Sequence, residues 1–294
     1  MSALDLCRLA GTVFLAVTLV VIGDTCGKLL TQSGVDPFIV AWSRFAIGAL
    51  VLWPLARIQW RELAGMKDWR VILRAVFIAG GISSILTALE TEPIANVFGA
   101  FFVGPIISYV LAVVFLKERP STTHTILLAV GFLGVLLVVK PGFGVTTGTL
   151  FALLAGTFYG CYLFMTKLLA GAMRPTRLLM SQLLFGTILL TPLGLTSPIP
   201  PSETSVWSLL IASALASTAG NYLLVIANRT ADASLVAPLV YTQLISATIL
   251  GVIVFGDWPD PVALLGLALI SLSGLGSLAV RRKPDDRTTN ARSG

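Results

Sequence analysis

Residues 93–141 read PIANVFGAFFVGPIISYVLAVVFLKERPSTTHTILLAVGFLGVLLVVKP. Two apolar runs of about twenty residues meet at a short charged corner, Lys117-Glu118-Arg119-Pro120. At 1.5 Å of rise per residue, each run is long enough to cross a bilayer as a helix. Residues 233–284 read ASLVAPLVYTQLISATILGVIVFGDWPDPVALLGLALISLSGLGSLAVRRKP and repeat the pattern. Glu118-Arg119-Pro120 then matches Asp257-Trp258-Pro259 at a shift of 139, and Gly134 matches Gly274 at a shift of 140. The pattern predicts an all-α polytopic membrane protein built from two related halves.

Composition agrees with that class. Of the 294 residues 56% are hydrophobic and 12% charged, against about 25% charged in soluble proteins. A mean hydropathy of +0.91 suits a chain whose surface meets lipid. A pI near 9.5 suggests nucleic acid as readily as basic cytoplasmic loops, so charge position decides. Cys7, Cys26 and Cys161 have no metal-ligand or disulfide spacing. Val13–Gly23 lacks a cleavage site and many apolar runs follow, so the first run is read as a retained helix.

Ten spans fit, each within a few residues at both ends. They cover about 10–30, 37–56, 71–89, 94–116, 123–139, 149–169, 175–192, 205–227, 233–254 and 261–280. Residues 57–70 form a wet connection with Trp60 and Trp69 as interface anchors, and Pro192–Thr204 forms a loop. The first five-helix unit is expected over 1–141 and the second over 142–282, with a disordered cytoplasmic tail at 283–294. With the N-terminus in the cytoplasm, thirteen Lys and Arg fall on inner loops and ends. They are Arg8, Arg57, Arg61, Lys67, Arg70, Lys117, Arg119, Arg174, Arg177, Arg229, Arg281, Arg282 and Lys283. Lys140 alone falls outside. The positive-inside rule therefore places both termini in the cytoplasm. Five spans per unit is an odd number, so the second unit enters from the opposite side and the repeat is inverted.

No Walker A loop, dinucleotide fingerprint or HExxH motif occurs, and His124 is the single histidine. No cofactor, metal site or nucleophile–base pair can be placed, which disfavours an enzyme. Charges within spans are the stronger signal, because hydrocarbon makes each costly unless it is paired or lines a wet cavity. Asp24 and Lys28 stand at i and i+4 on one face of span 1. They form a local ion pair, or a cavity-facing gating and proton-coupling pair. Arg44, in span 2, binds an acidic solute group or pairs with Asp24 across helices. Arg74 and Lys167 lie near inner ends, where long side chains snorkel, so they are weaker candidates.

Polar and aromatic residues within spans outline a cavity: Trp42, Asn96, Tyr159, Tyr162, Gln182, Asn221, Tyr241 and Gln243. Aromatic walls with a few amides suit a small amphipathic solute, although interhelical polar contacts explain any one of these residues equally well. Pro105 and Pro238 each free a carbonyl and can kink their spans at gates. A shift of 139 places Pro105 opposite Leu244 rather than Pro238, so the two are analogous only.

The chain resembles the drug/metabolite transporter superfamily, and within it the EamA family. The resemblance rests on Glu92-Pro93, Gly104-Pro105, Leu116-Lys117-Glu118-Arg119-Pro120 and Gly131-Phe132-Leu133-Gly134-Val135. In the second half it rests on Ala233–Pro238, Asp257-Trp258-Pro259 and Gly266–Gly274. Phe255-Gly256-Asp257 departs there from the usual leucine-glycine-glutamate corner. The resemblance implies a five-plus-five inverted repeat around a central cavity in the bacterial inner membrane. It also implies a secondary transporter that exports amino acids, aromatic ones among them, by alternating access. Carriers of anionic metabolites such as sugar phosphates share the superfamily, and a small-solute channel is the alternative of another class. The expected partners are a small-molecule substrate, the lipid bilayer and a coupling proton, with no nucleic acid.

Overall fold

The computed structural model describes residues 3–56, 68–117, 122–140, 145–169, 173–230, 236 and 239–280. The Glu118-Arg119-Pro120 corner, residues 57–67 of the wet connection, Pro238 and the tail from Arg281 lie outside the described residues, as do the side chains of His124 and Arg229. The described residues are mostly helical. The helices are α1 (Ala3–Gln32), α2 (Pro37–Ala56), α3 (Trp69–Thr91), α4 (Ile94–Phe101), α5 (Val103–Phe115), α6 (Thr122–Val139), α7 (Thr147–Leu168), α8 (Pro175–Thr196), α9 (Thr204–Thr230), α10 (Gln243–Leu250) and α11 (Pro261–Val280). A π-helical turn, Gly251–Phe255, extends α10. Seven helical segments are long and apolar enough to cross a membrane, α4 and α5 counting as one. Three shorter apolar helices lie within α6, α10 with its π turn, and α11.

Local chemistry sets the ends. Asp68 caps α3 by accepting from the Arg70 N–H, and Thr146 caps α7 through the Thr149 N–H, meeting donors that a helix start leaves free. Pro105 has no N–H for the Phe101 carbonyl, and the helix breaks there between α4 and α5. Pro192 does not end its helix as the sequence predicts: α8 continues to Thr196. Prolines are tolerated within helices in hydrocarbon, and α8 carries Pro192 in its interior.

Packing follows a rule of exchange. α1 lies on α9 as α3 lies on α7, and α2 on α9 as α3 on α8. α2 meets α8, α6 meets α11, and α4 meets α10. Mapping α1, α2, α3, α4–α5 and α6 onto α7, α8, α9, α10 and α11, and the reverse, exchanges the first two pairs of contacts and returns each of the last three to itself. The correspondence reaches single residues at the shift of 139. Gly220 faces the Ala16 carbonyl and Val20, and Gly81 faces the Ala155 carbonyl and Tyr159. Gly134 faces Gly266, and Ser273 donates to the Leu127 carbonyl. Gly134 therefore corresponds to Ser273, one residue from the Gly274 read off the sequence.

The helix breaks obey the same rule. Phe102 and Tyr241 occupy matching breaks, and their rings meet with centroids 4.7 Å apart. Lys117 (φ 53°) and Gly256 (φ 70°) occupy matching left-handed positions at the ends of the two segments. The second corner thus carries glycine where that conformation is free of strain, and the first carries lysine.

Close approach is the bundle's main adhesive. A Cβ on Gly134 would stand 2.6 Å from the Gly266 carbonyl, and the converse distance is also 2.6 Å. No side chain fits at either position without separating the helices. Gly266→Leu is expected to cost about 1–3 kcal/mol. A lowered melting temperature and a smaller monodisperse fraction in detergent would show it, and an unchanged melt would contradict this packing.

Candidate functional site

Between the two halves lies a cavity of about 120 Å³. α1 contributes Val20 and Asp24, α2 Arg44 and Phe45, and α3 Ile78, Gly81, Ile82 and Ile85. Phe98 and Phe101 of α4 and Tyr159 of α7 add aromatic walls, with Leu179, Gln182 and Leu183 from α8. Ser217, Thr218, Asn221 and Leu224 of α9, Val240 and Gln243 complete it. The lining is mostly apolar with a few polar groups, the usual character of a small-molecule site.

Asp24 and Arg44 form its charged side. Both are buried, at 3% and 5% exposure, and their ion pair is 2.5 Å long. Arg44 also donates from Nη2 to the Gly23 carbonyl and from Nε to Ser213 Oγ, which in turn donates to the same carbonyl. Gly27 makes room, since a Cβ there would stand 2.6 Å from Arg44 Nη2. The pairing runs across helices.

Lys28 therefore does not pair with Asp24 along α1. Its ammonium donates to Asp257 Oδ2 and to the Glu92 carbonyl, each at 2.9 Å, and lies 4.5 Å from the centre of the Phe255 ring. One lysine thus ties α1 to the end of α3 and to the corner after the π turn. A local i, i+4 pair would have left Arg44 and Asp257 without these partners. Two cross-helix pairs compensate all four charges.

Of the residues singled out from the sequence, Asp24, Arg44, Tyr159, Gln182, Asn221 and Gln243 line the cavity. Trp42 instead donates from Nε1 to Thr191 Oγ1 at 3.1 Å, between α2 and α8. Tyr241 meets the Phe102 ring at a tilt of 33° and packs over Gly274. Asn96 is half-buried on α4 and outside the lining. Pro105 lies in the first turn of the helix beyond the break and does not line the cavity. Tyr162 stands just behind the wall, donating to Gln182 Oε1 at 2.9 Å.

Arg74 departs most from expectation. It does not snorkel: it is 4% exposed, and its guanidinium donates to Thr166 Oγ1, Tyr162 Oη and the Leu178 carbonyl. Sequence reasoning also missed Ser217, whose buried hydroxyl lines the cavity without a hydrogen-bond partner among the described residues. The useful signal was its spacing from Asn221, one turn on along the same helix face.

The EamA-like transporter family matches residues 9–140 and, a second time, residues 146–278. The chain belongs to the EamA-like transporter family. Among similar proteins is a riboflavin transporter of Brucella anthropi, 26% identical over 256 residues, covering 81% of this chain and 89% of that one. An S-adenosylmethionine uptake transporter of Rickettsia conorii is 24% identical over 235 residues, covering 79% of this chain and 80% of its own. A solved crystal structure superposes with a TM-score of 0.64 at 17% identity over 96% of this chain and 99% of that one; that likeness concerns the fold alone. This EamA-like protein is thus a membrane protein of a small-molecule transporter family.

The buried ion pair yields a sharp expectation for this transporter. Asp24→Asn leaves the Arg44 guanidinium buried without its carboxylate, which costs about 3–5 kcal/mol. Thermal unfolding in detergent should show a large loss for that variant. A paired replacement of Asp24 and Arg44 by Leu and Met should recover most of it. Only a small loss in Asp24→Asn would mean that the pair is solvated.

Proposed function

We propose that this protein is a secondary transporter that exports amino acids or related small amphipathic metabolites by alternating access. The observation that carries the reading is the cavity between the two halves, with aromatic, amide and paired ionic groups in an otherwise apolar wall. Apolar area supplies affinity there and a few polar groups orient the solute. The relatives named for riboflavin and S-adenosylmethionine handle ring-bearing solutes with polar substituents, which favours the same general class. A cavity of about 120 Å³ is of the order that takes a single aromatic ring. Larger solutes enter only as the helices part.

The scaffold we propose has ten spans in an inverted five-plus-five repeat, 1–141 and 142–282, in the bacterial inner membrane. Both termini and the 283–294 tail face the cytoplasm. The exchange of contacts at a shift of 139 supports two copies, and the distribution of Lys and Arg supports the orientation. Asp24 and Lys28 are then coupling or gating groups. The breaks beside Pro105 and near Pro238 are the places where segments bend. Reporter fusions after Lys117 and after Lys140 should read cytoplasmic and periplasmic respectively. The reverse result would overturn the topology.

Function is tested by counterflow in proteoliposomes with phenylalanine, tryptophan, riboflavin, S-adenosylmethionine and a sugar phosphate. Saturable uptake of the aromatic amino acids with trans-stimulation is expected. Uptake without saturation would indicate a channel, and preference for the sugar phosphate would favour an anionic-metabolite carrier. An Asp24→Asn protein that transports with unchanged rate and pH dependence would remove Asp24 from proton coupling.

A further inference from the structure

Four charged side chains are buried among the described residues: Asp24, Lys28, Arg44 and Arg74. Asp24 cancels Arg44 and Asp257 cancels Lys28. Arg74 has no carboxylate partner among the described residues. Its three acceptors, Thr166 Oγ1 at 2.7 Å, Tyr162 Oη at 2.7 Å and the Leu178 carbonyl at 3.0 Å, are neutral. They satisfy its hydrogen bonds, and the Tyr162 ring adds a cation–π contact 4.4 Å from Arg74 Cζ, but none of these groups is an anion. A guanidinium held inside a membrane bundle with no carboxylate beside it among the described residues is costly, and an arriving anion would stabilise it.

The packing rule locates the missing group. Arg44 lies against Gly23, Asp24 and Gly27 of α1. At the shift of 139 those positions become Tyr162, Leu163 and Thr166 of α7. Arg74 bonds the first and third of them, and it projects from the α3 position that corresponds to Ser213, the serine beside Arg44. The two guanidiniums therefore lie against equivalent stretches of α1 and α7, although they project from different helices of the repeat. One of them faces aspartate at position 24. The other has leucine at position 163.

A path leads from this charge to the cavity. Tyr162 Oη accepts from Arg74 and so must donate onward, to Gln182 Oε1. With one oxygen lone pair engaged, the Gln182 amide keeps both of its N–H donors for the cavity. Arg74 thereby sets the polarity of this wall as well as its charge.

We propose that Gln182 and Arg74 form the receiving end of the cavity for a carboxylate of the transported solute, which serves as the counter-charge of Arg74. Gln182 makes the contact, and Arg74 is a positioning residue that acts through Tyr162. This rests on the transporter reading and narrows it to solutes with one acidic group at this end. The wall where Asp24 already neutralises Arg44 has no such demand. A zwitterionic amino acid fits with its carboxylate toward Gln182.

The test uses the full-length protein in detergent and matched acids and amides: phenylalanine and phenylalaninamide, indole-3-acetate and indole-3-acetamide, benzoate and benzamide. Ligand-induced shifts in melting temperature at fixed chloride give the affinities. At least one acid should bind about tenfold or more tightly than its amide, the range expected when a hydrogen-bonded acceptor is charged. Arg74→Gln should reduce that preference to below about twofold, whereas Arg74→Lys should keep part of it. Leu163→Asp, which installs the carboxylate that position 24 has, should abolish acid binding without lowering the melting temperature of the unliganded protein. No acid-over-amide preference in the wild type, or a preference that survives in Arg74→Gln, would overturn the proposal. Flux of the same compounds into proteoliposomes separates the two readings. Binding with acid preference but no flux would sink the transport reading alone, and equal flux of acid and amide would sink the carboxylate site alone.

Discussion

Helices in hydrocarbon gain little by burying apolar surface against one another, because lipid is as apolar as leucine. What holds this bundle is close approach at small residues, where van der Waals contact replaces lipid at short range. Gly134 with Gly266 and Gly220 with Ala16 bring backbones together, and Gly81 packs on Ala155 at the point that matches Gly220. These contacts set the rotation of each helix about its axis. That rotation decides which side chains meet.

Charge placement is the first consequence. Once α1, α2 and α9 are held by Gly23, Gly27 and Gly220, the Arg44 guanidinium has one place to lie, between Asp24, Ser213 and the Gly23 carbonyl. Lys28, one turn along α1, is carried to Asp257 and the Glu92 carbonyl. An ion pair in this setting adds little net stability, since desolvation offsets the Coulombic gain, yet breaking it is costly. The pairs therefore act as constraints on which helices remain together.

The second consequence is asymmetry inside a symmetric scaffold. The two halves share packing, helix breaks and left-handed corners, but the cavity they enclose has different walls. One carries a neutralised Asp24–Arg44 pair. The other carries Gln182, linked through Tyr162 to the charge of Arg74. A scaffold of two copies can thus recognise a solute whose two ends differ, with function residing in the residues that break the repeat.

Length, hydropathy and the positions of charged corners are properties of the chain in one dimension, and they were enough to establish a helical membrane protein of two related halves. The glycine-spaced runs and the Glu92-Pro93 and Gly104-Pro105 motifs carried the family. They also placed Asp24, Arg44, Gln182 and Asn221 inside apolar helices, where a polar group must face protein or a cavity. Partnership was legible there only as alternatives, a cross-helix Asp24–Arg44 pair among them, with nothing to choose between them. Helices apolar on every side carry no amphipathic stripe to set their rotation, so an i, i+4 spacing made Lys28 a partner for Asp24, and nearness to a helix end made Arg74 a snorkelling residue. Only the tertiary structure turned Asp24 toward Arg44, sent Lys28 to Asp257 and buried Arg74 beneath Tyr162. The physical reason is that each of these contacts joins residues from different helices, and the facing of those helices is decided by where small residues let their backbones touch.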